Sequence, residues 1–112
     1  MRGSVTVSRL GVDIDGRDWL RAMICLLEAR RIVGSARCYL TAHGFHVEAW
    51  GREMPAPVSL EIRRLLGDDP QRVHMDELRL ERGDLRQFDR LFEGGFKDGC
   101  EYFERRELRG WV

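Results

Sequence analysis

The sequence predicts an α+β fold built on a split βαβ plan, an antiparallel sheet with helices packed on one face and a C-terminal β-hairpin. Three observations carry this. Apolar residues alternate with polar ones around Val12, Cys38 and Val47, the period of a half-buried strand. Between the first two of these stretches the period changes to that of a helix, with Leu20, Met23, Ile24 and Leu27 at i, i+3, i+4 and i+7. Near the C-terminus, Asp98 and Gly99 form a hairpin-turn dipeptide between two apolar segments. A length of 112 residues suits one domain running from residue 1 to residue 112.

Each element follows from local chemistry. Val5 and Val7, then residues 12–15, read as a first strand with a break expected at Gly11. A helix is expected over residues 17–33, its apolar stripe broadened by Trp19, Leu26 and Ile32 and stopped by Gly34. Residues 35–41 and 45–50 alternate as two strands joined at His43 and Gly44. Two prolines make residues 51–57 read as a loop, before a short amphipathic helix over 58–66 closed by Gly67. Asp69 and Pro70 are an N-cap followed by proline at the first helical position, which predicts a helix over 70–82 ended by Gly83. The spacing of Val73 and Met75 leaves a strand through residues 73–76 open. Segments 90–96 and 100–108 then form the closing hairpin.

Charge narrows the function. The chain has 19 Lys+Arg against 19 Asp+Glu, so it lacks the basic excess with which the simplest nucleic-acid binders coat phosphates. All but one of the basic residues are arginine, the exception being Lys97, and asparagine is absent, a hint of a thermophile. No basic segment followed by a long apolar core is present, so neither a signal peptide nor a membrane span is expected, and a cytoplasmic location is. Cys25, Cys38 and Cys100 are widely spaced, without a disulfide framework or zinc-ribbon pattern, and read as small buried thiols.

If Val12, Ile14, Cys38, Phe45 and Val47 point toward the helices, strand alternation sends their neighbours to the opposite, open face. That face would carry Asp13, Asp15, Tyr39, Thr41, His46 and Trp50, with Arg37 and Glu48 beside them. Asp13 and Asp15, two residues apart on a strand, project on one side, and hard cations such as Mg²⁺ or Mn²⁺ are held by one or two carboxylates together with substrate phosphates. Asp15 has a plainer alternative as a helix cap, whereas Asp13, between Val12 and Ile14, needs a partner or an open face. His46 opens a strand after a tight turn, where an imidazole can meet a phosphate. Tyr39 and Trp50 are candidate platforms for base stacking. Asp76 lies between apolar residues in the segment from Val73 to Leu78, and its plainer alternative is a solvated helix face.

In order along the chain, these residues resemble the motif set of archaeo-eukaryotic primases and primase-polymerases. Val12, Asp13, Ile14 and Asp15 look like that family's h-D-h-D strand. Thr41 to His46 looks like its S-G-R-G-Y-H segment, with Gly44, Phe45 and His46 in register, and Val73 to Asp76 looks like its third, acidic motif. The resemblance implies an RRM-like, ferredoxin-like palm. It also implies Asp13, Asp15 and Asp76 as ligands of Mg²⁺ or Mn²⁺, Thr41 and His46 as nucleotide phosphate contacts, and two-metal phosphoryl transfer. Thr41 departs from the family's serine, and Ala42 and His43 from its glycine and arginine. The run Gly67, Asp68, Asp69, Pro70, then Arg72, then Asp76, Glu77 and Arg79 is similar to one in small proteins of archaeal viruses and plasmids, as are Leu91 and Phe92 followed by Lys97 to Gly99.

Two functions are therefore expected to compete: a small nucleic-acid-metabolism protein with a minimal primase-like metal and nucleotide site, and a non-catalytic interaction or assembly protein without a metal site. Arg63, Arg64, Arg72, Arg79 and Arg82 interleave with acids and are expected to pair within their helices. The C-terminal strand, ending in Trp111 and Val112, offers an edge through which a homodimer could form.

Overall fold

The computed structural model describes residues 5–91, 95–97, 100–102 and 106–109. The elements run β1 (Thr6–Asp15), α1 (Trp19–Val33), β2 (Gly34–Leu40), β3 (Gly44–Pro55), α2 (Ala56–Leu65), α3 (Pro70–Arg82), β4 (Gly95–Lys97), β5 (Cys100–Tyr102) and β6 (Arg106–Glu107). β1, β3, β2 and β6 form one antiparallel sheet in that order. β3 lies between β1 and β2, which are linked through α1, so this is the split βαβ arrangement the sequence predicts.

The first strand is continuous through Gly11. Its irregularity falls between Val7 and Arg9, where β3 bulges out around Gly51. Residues 51–55, expected as a loop, belong to β3, because Val7 pairs with Met54 and Thr6 with Pro55, and Met54 is buried in the core. Proline is tolerated there because it ends the strand. The cap of α1 is Asp18, whose carboxylate accepts from the Arg21 N–H, so Asp15 remains a strand residue. α3 matches its expected bounds: Asp69 caps the Gln71 N–H, Pro70 opens the helix and Gly83 closes it at φ 74°. The strand alternative at residues 73–76 falls away.

α1 lies across one face of the sheet. Ala22, Cys25, Leu26, Ala29 and Val33 pack against the inward row of Leu10, Val12, Ile14, Cys38, Phe45 and Val47. α2 and α3 pair with each other through Ala56, Leu60, Val73 and Leu80, alongside the outer edge of β1. Cys25 and Cys38 are free and buried, and burial pushes both thiols up to about 12. They are therefore packing residues, inert as nucleophiles near neutral pH.

β4 and β5 form a separate hairpin in which Lys97 pairs with Cys100 across the expected turn. Asp98 and Gly99 themselves lie outside the described residues, as do Trp111 and Val112, on which the expected dimer edge rested. β6 pairs inside the chain with Tyr39 and Leu40 of β2.

Candidate functional site

The segment from Thr41 to His46 builds a turn that sets His46 against β1. Thr41 Oγ1 accepts from the Gly44 N–H at 3.0 Å, and the Thr41 N–H donates to the Gly44 carbonyl at 2.9 Å. Arg17 donates to the carbonyls of Gly44 and Ala42 and clamps the turn from outside. A side chain at position 44 has no room, since a Cβ would fall 1.9 Å from the Ile14 carbonyl oxygen. Glycine there brings the two strands into register, with Asp13 opposite His46. Their side chains meet, His46 Nε2 lying 3.5 Å from Asp13 Oδ1. Thr41, expected at a phosphate, has its hydroxyl oxygen engaged in shaping the turn.

Asp13 and Asp15 line a cleft of about 990 Å³ at the end of β1, together with Arg21, Arg64, Asp69 and His74. Asp13 is 34% exposed at its side chain, and Asp15 is exposed. Burial raises the Asp13 carboxyl to about 6; Arg72 opposes the rise, while the negative charges of Asp68, Asp69 and Asp15 add to it. The two arginines of the cleft are engaged with its own wall and rim, Arg21 with the Gly67 carbonyl and Arg64 with Glu61 and Glu77, while Asp13, Asp15, Asp68, Asp69 and Glu77 supply its acids. Among the described residues, neither Asp15 nor Asp69 has an ion pair. The cleft is thus locally acidic within a chain of zero net charge.

Asp76 does not join these acids. It is 1% exposed and faces a buried ionic lattice on the outer edge of β1, where its carboxylate pairs with Arg63 at 2.8 Å and Arg79 at 2.7 Å and accepts the Asp89 N–H at 2.9 Å. The reason for the lattice is that β1 is an edge strand whose outward backbone groups need partners. Asp89 Oδ2 accepts from the Gly11 N–H and Asp68 Oδ1 from the Asp13 N–H, both at 2.8 Å. Arg72 donates to the Gly11 carbonyl, and the Asp69 N–H donates to the Asp13 carbonyl. Side chains from α2, α3 and the segments that follow them thus stand where a further strand would pair.

Arg63, fully buried, ties the lattice together, 2.8 Å from Asp68 and 3.8 Å from Asp89 with its guanidinium over the Phe88 ring. Arg72 bridges Asp68 and Asp89, and Arg9 bridges Asp89 and Glu48. The expectation that the arginines pair within their helices holds for Arg64 with Glu61 and Arg79 with Asp76, although Arg64 also reaches Glu77 of α3; the partners of Arg63 and Arg72 all lie outside their own helices, and among the described residues Arg82 has no ion pair. Sequence reasoning does not unite Arg63, Asp89 and Arg9 in one structure. The signal it offers is charge alternating along α3 and the turn before it, Asp68, Arg72, Asp76 and Arg79, on a stripe flanked by buried Val73 and Leu80. These four belong to the charged run from Asp68 to Arg79, so in this chain that run builds the seal on β1.

The expected open sheet face is closed at its centre. His46 and Glu48 are 5% and 6% exposed, and Asp89 and Leu91 lie so close over β1 that a Cβ at Gly11 would meet both side chains within 3 Å. Tyr39 and Trp50 are half-buried. Trp50 keeps the Arg37 guanidinium 6.0 Å from its ring, beside a shallow hollow lined by Ser35 and Ala36. A continuous stacking platform is therefore replaced by two separated aromatic rings.

Comparison with protein-family models, curated proteins and solved structures gives no match. Among the described residues, no group of three or more His, Cys, Asp or Glu side chains is arranged to hold a metal ion, and no helix is long and apolar enough to cross a membrane. What the site offers is two carboxylates on one strand, an imidazole beside the inner one, and an acidic cleft open to solvent.

Proposed function

We propose that the protein binds a phosphate-bearing ligand, a nucleotide or a nucleic-acid end, through one divalent cation held at Asp13 and Asp15, in the manner of a minimal primase-like palm. The carrying observation is the placement of Asp13 and Asp15 in a solvent-open cleft, with His46 across from Asp13. Two carboxylates are what a Mg²⁺ or Mn²⁺ ion takes from protein when phosphate oxygens complete its shell. The residues fit such an ion: Asp13 is held up near 6 by burial and neighbouring acids, a cost that a bound cation relieves. A cation here would neutralise a cleft that otherwise repels phosphate.

His46 holds Asp13 from behind, Arg17 and Thr41 fix the turn that positions His46, and Asp76 stabilises the edge of β1 that carries Asp13. Because Asp76 is committed to Arg63 and Arg79, this reading has one cation position in place of the two that the resemblance implies. It proposes binding and leaves nucleotidyl transfer aside.

Thermal unfolding with MnCl₂ or MgCl₂, with and without a nucleoside triphosphate, tests it. The wild-type midpoint is expected to rise with cation, and further with cation and triphosphate together; a ligand at a hundred times its Kd stabilises by about 2.7 kcal/mol. Asp13→Asn and Asp15→Asn are expected to lose the shift. A wild-type protein whose midpoint ignores both cations would refute the proposal.

A further inference from the structure

Most charges of the cleft are accounted for by ion pairs, and Arg21 is the basic one that is not. Glu77 pairs with Arg64, and Asp68 pairs with Arg63 and Arg72. Among the described residues, Asp13, Asp15 and Asp69 have no arginine partner, and Arg21, which lines the same cleft, forms no ion pair with any of them. Its place in α1 does not explain it either. Arg21 is the third residue of that helix, in a first turn that holds no acid, and the helix dipole there favours negative charge over positive.

The guanidinium is nonetheless held in position. Arg21 Nη2 donates to the Gly67 carbonyl at 2.6 Å, and the group lies so close over Gly67 that a Cβ there would fall 2.5 Å from the same nitrogen. Gly67, at φ 88°, is the residue that permits this approach. Among the described residues the other N–H groups of Arg21 have no partner. Whichever Nη2 hydrogen the Gly67 carbonyl takes, one two-donor edge of the guanidinium is left over.

We propose that Arg21 is the phosphate-binding residue of the cleft, gripping a terminal phosphoryl group that also meets the divalent cation at Asp13 and Asp15. This assignment rests on that cation site and adds the class of ligand. The open edge of an arginine matches two oxygens of one phosphate. A phosphodiester inside a strand has only those two free oxygens and one negative charge. A terminal phosphoryl group has a third oxygen for the ion and a second charge to set against cation and guanidinium together. The three unpaired acids outweigh Arg21 until the cation is bound, so the phosphate binds with the ion and is repelled without it. The cleft, at about 990 Å³, has room for a nucleotide or for the phosphorylated end of a strand.

Calorimetric titration of the full chain tests this, with MnCl₂ alone and then, in excess MnCl₂, with a nucleoside monophosphate or its cyclic diester. The wild type is expected to bind the monoester at least about tenfold more tightly than the diester, and to lose the monoester when the cation is left out. Arg21→Gln is expected to weaken the monoester by at least about tenfold while binding Mn²⁺ as well as the wild type or better, because a positive charge has left the neighbourhood of the ion. Arg21→Lys, which keeps the charge and loses the fork, is expected to fall between them. An oligonucleotide with and without a terminal phosphate, run beside the monoester, tells a strand end from a free nucleotide.

A wild type that binds Mn²⁺ but no monoester, or takes monoester and diester alike, overturns the assignment and leaves the cation site standing. So does an Arg21→Gln that keeps full monoester affinity, or one that loses Mn²⁺ together with the monoester, which would make Arg21 a structural residue only. A wild type indifferent to Mn²⁺ overturns the cation site itself, and the assignment with it.

Discussion

Replacing Arg63 with methionine tests whether the buried ionic lattice holds the molecule together. Arg63 is fully buried and makes 2.8 Å contacts with Asp68 and Asp76, a longer one of 3.8 Å with Asp89, and a cation–π contact with Phe88. The lattice balances Arg9, Arg63, Arg72 and Arg79 against Glu48, Asp68, Asp76 and Asp89. Methionine fills much of the volume but removes one positive charge from the centre, leaving three buried aspartates short of a partner. Removing one member of a buried pair costs about 3–5 kcal/mol, because the remaining charge is stranded away from water.

That loss is a large part of the roughly 6–17 kcal/mol expected for a chain of this length. The variant should therefore unfold at much lower urea concentration at pH 7, with an unchanged m-value if the unfolded state is unaltered. Adding Asp76→Asn should recover at least about 1 kcal/mol, since it removes a stranded charge while keeping an acceptor for the Asp89 N–H. A loss below about 1 kcal/mol for Arg63→Met, or no recovery in the double variant, would show that the arginine's charge is dispensable there.

Two further outcomes follow from the same geometry. The Asp13 carboxyl is raised from 3.8 to about 6, so it binds its proton more tightly in the folded state; its contribution favours folding below pH 4 and is lost as pH rises through 6. Asp13→Asn should thus match wild type in urea unfolding at pH 4 and exceed it at pH 7–8 by about 1–2 kcal/mol, a figure reduced for the solvent reaching its one-third-exposed side chain; a difference independent of pH would contradict this. Gly44→Ala places a methyl against the Ile14 carbonyl and should destabilise the fold by about 3 kcal/mol or more in thermal unfolding, where an unchanged midpoint would contradict the close approach of the strands.

The periodic parts of this fold are legible in the sequence. α3 is readable to the residue because its signals are local: Asp69 caps, Pro70 fixes φ, and Gly83 adopts the left-handed conformation that ends the helix. The Asp13–His46 pair follows from strand parity once β1 and β3 are partners, although their pairing itself is a long-range fact. Residues 51–55 mislead because Gly51, Pro55 and the nearby Pro57 are loop signals locally, while the partner strand that overrides them lies more than forty residues earlier. Asp76 misleads for a related reason. An acid between apolar residues looks the same whether its partners are metal ions or arginines, and those arginines come from a different helix and from its own next turn.

By itself, then, the sequence determined the class of fold, the limits of α3 set by its cap, proline and glycine, and the facing of Asp13, Asp15 and His46. Those properties depend on backbone preferences and periodicity, which act over a few residues. Only the tertiary structure decided which charges are buried and which line the cleft, because burial is a property of what packs above a residue. Zero net charge conceals both outcomes: a neutral lattice of arginines and acids sealing the edge of β1, and an acidic cleft at the end of the same strand.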